Sequence, residues 1–557
     1  MLPEDGVLRR IVLVSFAAVP LIFGGLALAL GQDNNWDLRN YHWYDGYAAL
    51  AGRLDVDMGA AQIPTFYNPT LDVVFFLLAN ALPAVVFSFF LGALQGCNFI
   101  LLYLIAACTL RIGDDRLHVL ACAVIALTAV IGGGHIGMVG TVFYDNIVSL
   151  LIFAAVIVVL GGANALEREP MPAALRRVLL AGLLVGLGVG LKLPTQIFAV
   201  GVCFGLLFVP GPPARRFMLA LVCGLGVISG FALLGGWWMW ELSSRYANPL
   251  FPYFNDVMRS PWALFASYRD DRFLAGTLAE ALVLPFRLFV DGKAGGEIAF
   301  RDGRILGAYI VVLATPFMLL AARAKPVRAT PASAPPPAVA MLTTGVFAAR
   351  YLVAVAGLSY VAWLMVFGIY RYLVPLEMLA PLIVVVCLSF WPVARPRQWS
   401  LAIGLLGFMI LTIQPGSWGR IPWSSGPWSM GLGGKFVDVT VPEVADPGST
   451  LVLMTGFAPT AFVIPSFPPG VVFLRPQSYL VEPEHRTRFN AEMHARIAGH
   501  GGEIYLLQAT WEKSAGERVL PQLGLQVDVD DCRPIRANLD SELELCALNR
   551  IAVAPQS

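Results

Sequence analysis

The sequence predicts a polytopic α-helical membrane protein with about eleven transmembrane helices and a small C-terminal extracytoplasmic α/β domain. Three observations carry this. Of the 557 residues 57% are hydrophobic and only 13% charged, about half the charged share of a soluble domain. The apolar residues arrive in blocks long enough to cross a bilayer. Alternation of short β-rich and helical runs returns only near the end, over 435–557. This composition excludes a soluble enzyme. A formal net charge of +1, from 38 basic and 37 acidic residues, gives no global basic field for nucleic acid. Functional charge must therefore be local.

Apolar blocks of the required ~17–25 residues run near 10–30, 84–110, 117–132, 146–163, 178–192, 194–209, 217–239, 305–322, 350–368, 373–391 and 399–414. Lys192 and Pro194 divide the fifth from the sixth, and two short helices fit there better than one long one. Threaded alternately, the connections assigned to the cytoplasm hold Arg9 and Arg10, Arg111 and Arg116, Arg168 with Arg176 and Arg177, Arg215 and Arg216, Arg323 with Lys325 and Arg328, and Arg395 with Arg397. Short cytoplasmic loops collect such residues. The N-terminus is then cytoplasmic, and 31–83, 133–145, 240–304, 369–372 and everything after about 415 lie outside. The first block has no small-residue cleavage site before the tryptophan-rich stretch that follows, so it reads as a retained helix rather than a signal peptide.

Six cysteines (Cys97, Cys108, Cys122, Cys203, Cys223, Cys387) lie in apolar blocks, where a thiol behaves as a small hydrophobe. Cys532 and Cys546 lie in the polar tail, which the topology places in an oxidising compartment. They are either a disulfide or two unrelated thiols. Residues 326–340 form a Pro/Ala/Ser linker expected to be disordered. In 435–557, β-rich runs at 450–455, 471–474, 503–508 and 543–548 alternate with helical stretches at 484–499 and 511–522. None is followed by a nucleotide-binding Gly-rich signature.

The loop after the first block is the most unusual part of the chain. Asp33, Asp37, Arg39, His42, Asp45 and Arg53 are interleaved with Trp36, Tyr41, Trp43, Tyr44 and Tyr47. If 37–51 is helical, Asp37, Tyr41, Tyr44 and Ala48 share one face with Asn40 beside them. Aromatic rings beside polar groups suit a sugar. An amphipathic helix lying on the membrane fits equally well.

Taken together, these features resemble the GT-C superfamily of membrane glycosyltransferases, which includes protein O-mannosyltransferases, aminoarabinose transferases and polyprenyl-phosphate-dependent mannosyltransferases. The resemblance rests on the acidic, aromatic first loop (Trp36 to His42), a second acidic turn from His135 to Asp145, a long loop with Asn248-Pro249-Leu250-Phe251-Pro252, and the external C-terminal domain. It implies inverting transfer of a sugar from a polyprenyl-phosphate donor to a lipid, glycan or protein acceptor, in a bacterial inner membrane with the C-terminal domain periplasmic. Asp37 would be the general base on the acceptor hydroxyl, with Asp33 and Asp45 as rivals. Such a base must approach within about 3 Å of the proton it removes. Arg39, Asn40, Tyr41, His42, Tyr44, His135 and Asp145 would contact substrate.

The departing phosphate needs cations. Lys192 lies between two short helices and either binds that phosphate or snorkels to the outer surface, and Arg371 lies in a very short turn and either grips phosphate bidentately or simply anchors the interface. Arg245 and Arg269 are further candidates on the long loop. Asp145 could equally be an ordinary helix cap. No His-x-x-x-His or Cys-x-x-Cys spacing marks a zinc site, so no tightly held metal is expected, with a divalent cation left open. The rival readings are a transporter or flippase of lipid-linked sugars and a non-catalytic envelope assembly factor. No internal repeat of the kind transporters use is evident.

Overall fold

The computed structural model describes residues 2–162, 166–167, 170–323, 343–423 and 434–551. The linker expected at 326–340 lies outside the described residues. Every predicted apolar block forms helix, and among the described residues seven helices are long and apolar enough to cross a membrane: Gly6–Leu30, Ala84–Thr109, Met171–Leu191, Pro213–Tyr246, Arg304–Ala321, Val346–Val366 and Tyr370–Ser389. The chain is thus a mostly helical, multi-pass membrane protein. The other four blocks form Asp115–Val130, Asp145–Leu160, Gln196–Gly205 and Arg395–Leu411. Their 10 to 17 residues rise about 15–26 Å, short of ~30 Å of hydrocarbon. Polar starts set some of these limits. Asp114, for example, caps its helix by accepting from the Leu117 N–H at 2.7 Å.

The chain divides into two compact units. The first, a helical unit, comprises Met1–Ala29, Phe89–Gly235 and Asp270–Trp418. Within it, Gly182 and Gly186 of the Met171–Leu191 helix meet Gly226 and Gly230 of the Pro213–Tyr246 helix so closely that a Cβ at any of the four would strike backbone. Small residues at four-residue spacing permit this approach between apolar helices. The seam fixes the helix whose C-terminal end carries Lys192.

The second unit comprises Leu30–Ser88, Gly236–Arg269 and Gly419–Ser557. Its centre is a six-stranded mixed sheet of β1 (Val439–Thr440), β2 (Leu451–Met454), β3 (Val472–Leu474), β4 (Ile504–Ala509), β5 (Leu525–Ala537) and β6 (Leu543–Arg550), in the order β1-β5-β6-β4-β2-β3. β2 runs parallel to β3 and β4, and the remaining pairs are antiparallel. A disulfide joins Cys532 to Cys546, which sit opposite each other on β5 and β6. β5 was not anticipated. Its Asp528, Asp530 and Asp531 have low strand propensity and lie where its pairing with β6 is irregular, between Val527 and Cys532; the residues on either side, Leu525 to Val527 and Cys532 to Ile535, pair with β6 and hold the strand.

The hydrophobic core of this unit is shared. Leu451, Leu453 and Leu474 of the sheet pack with Phe489 and Met493, and also with Met58 and Phe66 of the first loop and Trp238, Leu242 and Phe251 of the Gly236–Arg269 segment. The first loop is therefore packed into a folded body. Leu38 through Gly46, apart from half-buried Arg39, are buried, so this segment is not a helix lying free on a membrane surface.

Candidate functional site

Two constellations gather the residues singled out in the sequence, one in each unit. In the helical unit, Lys192 follows the last turn of the Met171–Leu191 helix, where the chain turns extended (φ −149°, ψ 107°). Its Nζ donates to the Phe143 carbonyl at 2.5 Å and to Asp145 Oδ2 at 2.8 Å, and lies 5.5 Å from the Tyr372 ring centroid. Tyr144, between those two partners, adopts a left-handed conformation at φ 61°. For a non-glycine residue this costs energy, and such strain often accompanies functional geometry.

Arg371 belongs to the 3₁₀ turn Tyr370–Leu373. Its guanidinium lies 4.3 Å from the Phe143 ring centroid, 5.5 Å from Trp418 and 6.0 Å from Tyr372. Its Nε is 3.6 Å from the exposed carboxylate of Glu297. Phe143 and Tyr372 thus serve both cations, and residues distant in sequence (Phe143, Asp145, Lys192, Arg371, Tyr372) form one cluster. Asp145 starts its helix and is ion-paired rather than merely capping.

His135 belongs to a different setting. It is fully buried, its ring stands 5.5 Å from that of Phe23, and Nδ1 donates to the Val130 carbonyl at 2.7 Å. Burial pushes its pKa down to about 4, so the ring is neutral near pH 7. Packing accounts for this residue.

A second group of charged residues, outside the motifs of the sequence, stands beside it. Glu377 accepts hydrogen bonds from the Gly134 and His135 N–H groups at 3.2 and 3.0 Å and from the Tyr370 hydroxyl at 2.7 Å. Asp302 accepts from the Gly133 N–H at 2.7 Å and from Arg304 at 2.5 Å, while Arg304 donates through Nε and Nη2 to the Thr128 carbonyl. Two carboxylates thus seize consecutive N–H groups at the start of the short Gly133–Gly137 helix, where backbone dipoles favour anions. The available signal was the rarity of ionisable residues in or at the head of an apolar block.

In the sheet unit, Trp36 and Asp37 open the first-loop helix, and residues 38–42 form a π-helical turn. The Tyr41 hydroxyl donates to Asp37 Oδ2 at 3.1 Å. The wider π turn, common where side chains are re-aimed, breaks the expected alignment: Tyr44 instead donates to Asp57 at 3.0 Å, which also binds Arg53 through both oxygens. Asn40 is fully buried, donating to the Ala61 carbonyl at 3.0 Å and accepting from Gln62 at 3.2 Å. His42 Nδ1 pairs with Asp72 at 2.6 Å, and Arg39 pairs with Asp540 at 2.6 Å.

Of the rivals to Asp37, Asp33 is buried and accepts from Asn35. Asp45 is buried with an Oδ2 that has no protein partner, and burial, then the neighbouring Asp72, push its carboxyl well above the usual range. A carboxyl group buried in this way is closed to an acceptor hydroxyl, which must come within about 3 Å of its base. Asp37 remains half-exposed, next in sequence to the exposed ring of Trp36. Trp36 meets the exposed ring of Tyr479 edge-on at 6.5 Å, and Phe457 backs Tyr479 at 4.6 Å. Arg245 pairs with Asp55 and Glu241 and lines a cavity of about 280 Å³ with Trp262, Phe489 and Arg496. Arg269 is exposed.

Among the described residues, the cluster of metal-capable side chains is Cys532, Glu544 and Cys546, and its two thiols are joined as the disulfide. The fold and these sites define a multi-pass membrane protein with a C-terminal mixed-sheet domain. No family profile, curated protein or solved structure matches the chain.

Proposed function

We propose that the protein is an inverting glycosyltransferase of GT-C type, with eleven membrane crossings, a cytoplasmic N-terminus and a periplasmic C-terminal domain in a bacterial inner membrane. It moves a sugar from a polyprenyl-phosphate donor to a hydroxyl acceptor. The observation that carries this reading is the convergence of Lys192 and Arg371 on Phe143 and Tyr372. Two cations with aromatic walls suit a phosphate attached to an apolar chain. The 3.6 Å pairing of Arg371 with exposed Glu297 is weak enough to yield to a phosphate oxygen.

In such a transfer the acceptor hydroxyl gives its proton to a general base, the role this reading assigns to Asp37, the acceptor oxygen bonds to the anomeric carbon with inversion, and the carbon–oxygen bond to phosphate breaks with its electron pair leaving on phosphate. Tyr41 orients the Asp37 carboxylate. The Trp36–Tyr479 corner offers ring faces to an acceptor sugar.

The eleven-crossing topology has separate support. Segments 30–88, 236–269 and 419–557 share one compact unit, so they lie on one side of the membrane. Crossing by only the seven long helices would put three crossings between the first and second of these segments and three between the second and third, leaving 236–269 on the wrong side. Adding the four shorter helices makes these numbers six and four.

The test is transfer from radiolabelled polyprenyl-phosphate hexoses and pentoses in membranes. Asp37→Asn is expected to lose roughly 10²–10⁴-fold in rate, the usual worth of a general base, with folding intact. Folded Asp37→Asn protein that transfers at a near-normal rate removes the base assignment. Wild-type protein that consumes no donor removes the enzyme reading.

A further inference from the structure

We infer that the Leu278–Val290 helix lies at the membrane boundary with one apolar face against lipid hydrocarbon. The sequence places this segment in a loop outside the membrane, yet it forms a well-started helix: Thr277 accepts from the Glu280 N–H at 3.2 Å and Glu280 accepts from the Gly276 N–H at 2.8 Å. Three faces are chemically distinct. Leu278, Leu282, Phe286 and Val290 recur every four residues, with Val283 beside them, and all are exposed, Leu278 by 77% and Val290 by 70%. Glu280 and Arg287 are exposed on a second face. Leu284, Pro285 and Leu288 form a third, which is buried.

A five-residue apolar stripe open to water is costly, at about 25 cal/mol per Å². Continuity with a membrane-crossing helix identifies what covers it. Tyr309, in the second turn of the Arg304–Arg323 helix, donates its hydroxyl to the Leu282 carbonyl at 3.0 Å, and its ring lies 6.3 Å from Phe286. Farther along that same helix Ile310, Leu313, Phe317 and Leu320 are exposed in turn. The two exposed apolar surfaces therefore adjoin. Contact at Tyr309 is about 8 Å from the end of the crossing helix, a depth at which an amphipathic helix places its apolar side in hydrocarbon and its charges among headgroups.

The chain beyond this helix reaches the cation cluster. Gly295 accepts from the Tyr370 N–H at 2.5 Å, and Glu297 faces Arg371. Lipid contact thus anchors the segment that supplies the partner of Arg371. This inference does not depend on the glycosyltransferase reading.

The test is photocrosslinking of the full-length protein in phospholipid nanodiscs, with benzoylphenylalanine introduced singly at 278, 282, 286, 280 or 287 and adducts read by intact-mass spectrometry. Phospholipid adducts are expected at 278, 282 and 286 in several-fold excess over 280 and 287. Equal lipid labelling at all five positions, absence of lipid adducts at 282 and 286, or crosslinked dimers from those positions would each overturn it.

Discussion

At the scale of single residues, His135 makes a prediction whose sign follows from its burial. The folded protein holds the ring neutral, with a pKa of about 4 against 6.5, so below pH 6.5 the unfolded chain takes up a proton that the folded one refuses. The stability this group contributes is complete above pH 6.5 and is lost as pH falls toward 4. By pH 5 the loss is about 2 kcal/mol. The melting midpoint of detergent-solubilised wild type should therefore fall more steeply between pH 7 and pH 5 than that of His135→Phe. Parallel acid slopes would contradict the assignment. Lys192, Arg371 and Asp145 were legible in the sequence because charges are rare there, so each one stands out. Glu377, Asp302 and Arg304 are just as rare, but their partners are mainly backbone groups distant in sequence, the N–H groups of Gly133 to His135 for the two acids and the Thr128 carbonyl for Arg304, which no side-chain motif announces. The 3.6-residue pattern puts Tyr44 on the wrong line because it does not show the π turn between 38 and 42.

At the scale of elements, the short Gly133–Gly137 helix depends on a carboxylate from another helix. A Cβ at Gly132 or Gly134 would collide with the Glu377 side chain, so the glycines exist to let Glu377 approach. The same turn is tied onward: Asn146 donates to the His135 carbonyl at 3.1 Å, next to Asp145. Glu377→Ala leaves two N–H groups and the Tyr370 hydroxyl without their acceptor. Its expected cost is roughly 3 kcal/mol or more, at 1–3 kcal/mol for each stranded buried donor. Size-exclusion profiles and melting after detergent extraction measure it, with Glu377→Gln retaining part of the stability because its carbonyl still accepts. An unchanged melting midpoint in Glu377→Ala would show that the turn holds without it. Elements with one strong period were readable, as all eleven apolar blocks and four strands attest. The acidic β5 was not, because its reason for being a strand lies in β6.

At the scale of the whole molecule, the arrangement of segments makes the last prediction. Arginines at the ends proposed to be cytoplasmic are tied to backbone: Arg215 donates to the Leu166 carbonyl and Arg216 to that of Leu207, both at 2.9 Å. Such pairing satisfies carbonyls near helix ends and keeps the charge at the interface. In the domain proposed to lie outside, the cysteines of β5 and β6 form a disulfide, a bond that persists in an oxidising compartment. Seven and eleven crossings both put the two chain ends on opposite sides, so the ends alone do not distinguish them. The segment 247–269 does, because seven crossings put it in the cytoplasm and eleven put it outside. Alkaline phosphatase inserted near Arg269 should therefore be active, as should a fusion after residue 551, whereas one near Arg216 should be inactive. Cys532 and Cys546 should resist maleimide until reductant is added. An active insertion at Arg216 with silent ones at Arg269 and after residue 551 would invert the charge argument. Silence at Arg269 with activity at the C-terminus would leave the four short helices uncrossed, and would contradict the shared core that joins Trp238 and Phe251 to the sheet.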